Sequence, residues 1–241
     1  CKPFQSAVHM NYEIKKQTQT IASYDGTPLY YEVRGEGPKT LVFVYGIACL
    51  MNHWHFQVDH FSKDYKVVTY DLRGHHRSGP VRDLTQLSIN SLAKDLLFLL
   101  DHLGCKDVTG LGHSFGAPIL LEAHRINPNA FSSYVFVNGF QKNPIKGMFG
   151  LEIIEPFFYF IKAQFEKNPL LWNSLWKAAV DNPLAIRLAA MAGGFNLKLT
   201  ELKDIEIYVK GVSQLDLEVF LPMFEALMSF DGSDILPTVQ Q

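Results

Sequence analysis

The sequence predicts an α/β fold, a largely parallel sheet covered by helices on both faces. Three observations carry that reading. Strand-like and helix-like periodicities alternate from about residue 17 to about residue 140. Two of the strand-like runs, "TLVFVYG" (40–46) and "YKVVTYD" (65–71), are continuously apolar and rich in valine, as strands buried on both faces are. The chain has 241 residues, 47% of them hydrophobic and 19% charged, which suits one sizeable core and is short for two.

The elements follow in order. "TIASYDGTPLYYEVRGEGP" reads as two strands joined by a turn at Asp25-Gly26 and closed by Gly35 and Gly37. After the strand over 40–46, "MNHWHFQVDHF" fits a short helix, and the strand over 65–71 comes next. "SINSLAKDLLFLLDHLG" places Ile89, Leu92, Leu96, Leu100 and Leu103 on one stripe, with Ser88 as N-cap and Gly104 as the stop. "VTGLGHS" is a strand, "FGAPILLEAHRIN" a helix and "SSYVFVNG" a further strand. Residues 141–213 break the rhythm. They are helical and aromatic-rich, with Phe149, Phe157, Phe158, Tyr159, Phe160, Phe165, Trp172 and Trp176, and read as a cap inserted over the carboxyl edge of the sheet. "DLEVFLPMFEALMSF" resumes as a helix and "DILPTVQQ" as the start of one more strand. The expected organisation is a tether over 1–16, the first part of the core over 17–140, the cap over 141–213, and the core resumed over 214–241.

Composition excludes several classes. A formal net charge of −2 gives no electrostatic footprint for nucleic acid. The longest apolar run, "LVFVYGIACLM", is well short of the ~20 residues of a membrane helix. Three cysteines, Cys1, Cys49 and Cys105, make no disulfide framework, and no metal-ligand spacing occurs. Cys1 has two readings: an arbitrary start point, or the lipidated first residue of a bacterial lipoprotein with a polar tether behind it. Anchoring of that second kind needs more than one acyl chain, because a single chain binds membranes only marginally.

The chemistry-bearing stretch is "GLGHSFGAP" (110–118), where Gly112 and Gly116 flank Ser114 by two residues on each side. Glycines at those positions permit a sharp strand-to-helix turn that lifts the serine hydroxyl above the sheet. There it stands at a helix N-terminus, whose dipole and N–H groups favour developing negative charge. With "DGTPLYYEVRGEGPKTLVFVYG" and "YDLRGHHRSG" in order upstream, the chain resembles the α/β-hydrolase superfamily from about residue 17 onward. Within it the resemblance is to the capped branch of esterases, perhydrolases and carbon–carbon bond hydrolases. The resemblance implies Ser114 as nucleophile, with the N–H groups of Ile47 and Phe115 as the oxyanion hole. It departs at Tyr45, where a histidine is usual, and at His76, where a second glycine is usual. No metal or organic cofactor is implied.

A serine hydroxyl needs a positioned base, and the family's chain order is nucleophile, acid, histidine. Here no histidine follows His124. His113 is expected to point away from the Ser114 hydroxyl and His124 to lie on a surface, while His53 and His55 are expected to be structural or exposed. The acid's usual place follows the strand begun at "DILPTVQQ", and its alternative place is held by Asn138. The triad acid and histidine, and the C-terminal strands and helix of the fold, are therefore expected to be missing from this sequence. A portion of a longer hydrolase explains that; a short inactive relative and a split protein with a partner chain are the alternatives. The function expected is a serine hydrolase acting through an acyl-enzyme at Ser114 on an apolar acyl or aromatic ester. The alternative is a non-catalytic binding or assembly subunit, tethered through Cys1.

Overall fold

A computed structural model describes residues 16–146, 152–180 and 211–240, together with Asn182, Ile205 and Val209. Cys1 and the expected tether up to residue 15 lie outside the described residues, as do Phe149 and most of the second half of the expected cap.

Six strands form one sheet in the order β1-β2-β4-β3-β5-β6. Strands β1 (Lys16–Ala22) and β2 (Pro28–Arg34) pair antiparallel, and β2 pairs antiparallel with β4 (Lys66–Tyr70). Strand β3 (Thr40–Val44) runs parallel between β4 and β5 (Val108–His113), and β5 runs parallel to β6 (Ser133–Val137). The turn between β1 and β2 is held by Gly26 at φ +85° and by the Asp25 carboxylate accepting the Thr27 N–H at 3.0 Å.

Adjacent residues on a strand face opposite sides of a sheet. Phe43 packs on Trp54, in the turn before helix α1 (His55–Phe61), with ring centroids 5.0 Å apart. Its neighbour Val44 lies against Gly116, the first residue of α3 (Gly116–Ile126), so α1 and α3 cover opposite faces. Helix α2 (Ile89–His102) packs beside α3, with Ile89, Leu92, Leu96, Leu99 and Leu100 buried. Its N-cap Ser88 accepts the Ser91 N–H, and Gly104 at φ +56° follows its C-terminus.

Helices α4 (Ile154–Lys167) and α5 (Pro169–Val180) fall within the stretch expected to form a cap, and α6 (Leu217–Ser229) packs against α5.

Two expectations are corrected. The stretch from Asp234 is not a strand: Leu236–Thr238 form a 3₁₀ turn, with the Thr238 N–H donating to the Ile235 carbonyl at 2.8 Å. Pro237 has no N–H to give a ladder, and local i→i+3 bonds satisfy the backbone instead. His124 is buried rather than on a surface. Helix α3 is enclosed along most of its length, so its polar side chain needs internal partners. His124 finds them in the Tyr134 hydroxyl at 3.0 Å and the Thr238 hydroxyl at 3.2 Å.

Candidate active site

The site is built where β5 turns into α3. The Ser114 N–H donates to the Val137 carbonyl of β6 at 3.1 Å, and the Ser114 carbonyl accepts the Ala117 N–H at 3.0 Å. Between those bonds Ser114 is forced to φ +51°. A non-glycine residue in that region stores roughly 1–2 kcal/mol. The flanking glycines are required by close approach. A β-carbon on Gly116 would stand 2.2 Å from the Val44 carbonyl oxygen, and one on Gly112 would stand 2.8 Å from the Gly116 backbone. The sharp turn expected from "GLGHSFG" is therefore present, and the Ser114 hydroxyl makes no hydrogen bond among the described residues.

The loop after β3 closes over this turn. A β-carbon on Gly46 would lie 3.2 Å from Ser114 Cβ and 3.3 Å from His113 Nδ1. Ile47 follows, then Ala48 at φ +59°. The N–H groups of Ile47 and of Phe115 find no acceptor among the described residues, whereas the next donor, Ala48, is already engaged. Its N–H donates to His75 Nε2 at 3.3 Å. His75 Nδ1 faces the Arg73 carbonyl at 3.2 Å, which can only accept, so the proton sits on Nδ1 and Nε2 is left to accept. Burial keeps this imidazole neutral by pulling its pKa down to about 3. Sequence reasoning passed over His75; the double histidine in "RGHHRSG" was its only signal.

The two departures from the family pattern are both accommodated. Tyr45 is buried, its hydroxyl accepting the Leu72 N–H at 2.8 Å and donating to Asp71 at 3.3 Å. It thereby ties the end of β3 to the loop after β4. His76 stands at φ +42°, which explains why glycine suits the position. Its Nε2 lies 2.7 Å from the Cys49 carbonyl, a tie between the two loops that a glycine could not make. Beneath them Arg73 grips Asp95 of α2 through two bonds of 2.6 Å and reaches Asp25 at 2.9 Å. That bidentate pairing keeps the buried guanidinium charged.

The remaining histidines do not complete a triad among the described residues. His113 turns its ring onto His53, centroids 4.5 Å apart, and its Nδ1 is buried without a hydrogen-bond partner. Burial lowers its pKa. His53 is exposed as a residue, yet its ring is crowded by Trp54 and His113. Desolvation, with His113 and His55 nearby, brings its pKa to about 4. His55 Nδ1 lies 2.8 Å from the Asn52 carbonyl, and no described histidine hydrogen-bonds Ser114. Asn138 ends β6 at φ +47°. No group of three or more histidine, cysteine or acidic residues suited to a metal occurs among the described residues. No described helix is long and apolar enough to cross a membrane.

A family model described as alpha/beta hydrolase fold matches residues 39–171, more than half of the chain. The chain is 32% identical over 114 residues to the proposed carbamate hydrolase RutD of Azorhizobium caulinodans, covering 47% of this chain and 42% of that protein. It is 31% identical over 97 residues to a non-heme haloperoxidase of Rhodococcus erythropolis, covering 40% and 34%. The chain thus spans less than half the length of these curated relatives. An esterase from Exiguobacterium antarcticum superimposes with a TM-score of 0.70 over 93% of this chain and 78% of its own, at 15% identity. At that identity the likeness shows the fold.

Proposed function

Since the chain belongs to the alpha/beta hydrolase fold family, we propose that it is a serine hydrolase working through an acyl-enzyme at Ser114. Its substrate is an ester or related acyl compound with an apolar acyl or aromatic group. The observation that carries this reading is the strained Ser114 at φ +51°, its hydroxyl uncommitted and two uncommitted N–H groups around it. In this reading Ser114 Oγ attacks the substrate carbonyl. The Ile47 and Phe115 N–H groups receive the oxyanion, Phe115 with the help of the α3 N-terminus. The alcohol leaves, and water releases the acyl group by the reverse path. The mechanism needs a proton acceptor for Ser114 that takes the hydroxyl proton and returns it to the departing alcohol.

The test is hydrolysis of p-nitrophenyl esters by the native protein. The reading expects turnover that Ser114→Ala reduces by at least ~10³-fold, with the fold unchanged by circular dichroism. Equal turnover in both proteins would contradict it.

One observation favours a second reading, a non-catalytic binding or assembly subunit tethered through Cys1: no described histidine hydrogen-bonds Ser114 to serve as its base. That reading expects no Ser114-dependent turnover, and loss of membrane association in Cys1→Ala.

A further inference from the structure

Two facing loops hold backbone conformations that a side chain disfavours, and they are tied to each other. Residues 46–49 form a four-residue turn, closed by the Cys49 N–H donating to the Gly46 carbonyl at 3.0 Å. Its third residue is Ala48 at φ +59°, in a place that normally takes glycine. Opposite stands the loop after β4, with His76 at φ +42°. Strain of this kind persists only where the surroundings hold it, and it gathers at functional sites.

What holds it is a pair of adjacent histidines acting in opposite senses. His75 Nε2 accepts the Ala48 N–H at 3.3 Å. His76 Nε2 donates to the Cys49 carbonyl at 2.7 Å, since a carbonyl can only accept. The pair is itself firmly mounted. The His75 N–H donates to the Leu72 carbonyl at 2.9 Å, and the His75 carbonyl accepts the Ser78 N–H at 2.9 Å. The Ser78 hydroxyl donates to the Asp71 carbonyl at 2.6 Å and accepts the Tyr30 N–H at 3.0 Å, which moors the loop to β2. His75 is fully buried, so losing its acceptor nitrogen would leave the Ala48 N–H without a ready substitute.

The clamped peptide is the one that decides the form of the turn. If Ala48 relaxed to a negative φ, the Ile47–Ala48 peptide would turn over and its N–H would leave His75. That rotation twists the chain at Ile47, whose own N–H is the proposed oxyanion donor. The turn also abuts the nucleophile, because a β-carbon on Gly46 would lie 3.2 Å from Ser114 Cβ.

We propose that His75 and His76 are positioning residues for the oxyanion hole. They hold the turn over 46–49 in its strained form, so that the Ala48 N–H is withdrawn and the Ile47 N–H is left to the substrate. What Ile47 does rests on the hydrolase reading; the clamp itself rests on the geometry of the two loops.

The experiment compares the parent with His76→Gly, His75→Gln and His75→Leu. It measures p-nitrophenyl ester turnover, chemical denaturation, and hydrogen exchange of the Ile47 and Ala48 amides by NMR. His76→Gly gives up the tie to Cys49 but relieves a positive φ, so its denaturation midpoint should stay near that of the parent. Its kcat is expected to fall about tenfold with KM little changed, a split that a merely structural residue would not produce. His75→Gln, whose amide oxygen can accept the Ala48 N–H, should keep most of kcat, whereas His75→Leu should lose about a hundredfold. In the parent the Ala48 amide should exchange more slowly than the Ile47 amide, and His76→Gly should narrow that difference. Unchanged Ala48 protection in folded His76→Gly overturns the clamp. Unchanged kcat in that variant overturns its role at Ile47, as does equal kcat in folded His75→Gln and His75→Leu. A parent without turnover removes the hydrolase reading instead, and the clamp is then decided by the Ala48 exchange alone.

Discussion

The turn around Ser114 and the helical hairpin α4–α5 are built by opposite means. At the turn, backbone meets backbone. Gly116 touches the Val44 carbonyl, Gly112 touches the Gly116 backbone, and Gly46 lies against Ser114. Most polar groups there have a named partner, so the uncommitted Ser114 hydroxyl and the Ile47 and Phe115 N–H groups stand out. In the hairpin, side chains do the work and few are buried. Helix α4 buries only Phe158 and α5 buries none of its described residues, while Phe157, Phe160, Leu170 and Leu171 are exposed. The first region leaves no room for one added methyl group at Gly112 or Gly116. The second offers apolar surface with little geometric constraint.

Four changes break or sharpen that contrast. The largest effect is expected from Gly116→Ala, which drives a methyl group into a main-chain carbonyl. It should cost about 3 kcal/mol in chemical denaturation, and a near-neutral result would mean that the turn is not constrained as described.

Acid comes next. His75 has a folded pKa near 3 and His53 near 4, both below the ordinary 6.5. Between those values the unfolded chain binds more protons, so stability should be full above pH 6.5 and fall as pH drops toward 3. His75→Gln, which keeps an acceptor for the Ala48 N–H, should make that decline shallower. An unchanged pH profile would remove His75 as its cause.

A smaller effect of opposite sign is expected at the nucleophile. Ser114→Gly relieves the positive φ against glycine's greater chain entropy, for a net gain of up to about 1 kcal/mol. A loss of stability instead would mean that the serine backbone is not strained. The smallest belongs to the hairpin. Leu170 is 83% exposed, and Leu170→Ser should stay within about 0.5 kcal/mol of the parent. A larger cost would show that the hairpin packs against more than the described residues.

Most of the parallel sheet was legible because its signals are local. The valine runs of β3 and β4, the Ser88 cap and the glycines of the turn each act within a few residues. What escaped was decided by distant partners. His124 is polar and near a helix end, which reads as surface, yet Tyr134 and Thr238 enclose it. The stretch "DILPTVQQ" suggests a strand, but Pro237 and the tie between Arg125 and Asp234 at 2.7 Å favour a turn. His75 carries no motif of its own, because its role depends on an Ala48 N–H from another loop. At the site, the serine and the shape of its turn could be read; the neutral, unpartnered state of His113 could not, since it depends on burial.

The most direct test of the account is covalent. The native protein is treated with a fluorophosphonate, digested and mapped by mass spectrometry. The account predicts one phosphonylated serine, Ser114, on the peptide carrying "GLGHSFGAP", with no such adduct in Ser114→Ala. An unmodified Ser114 in folded native protein would contradict it.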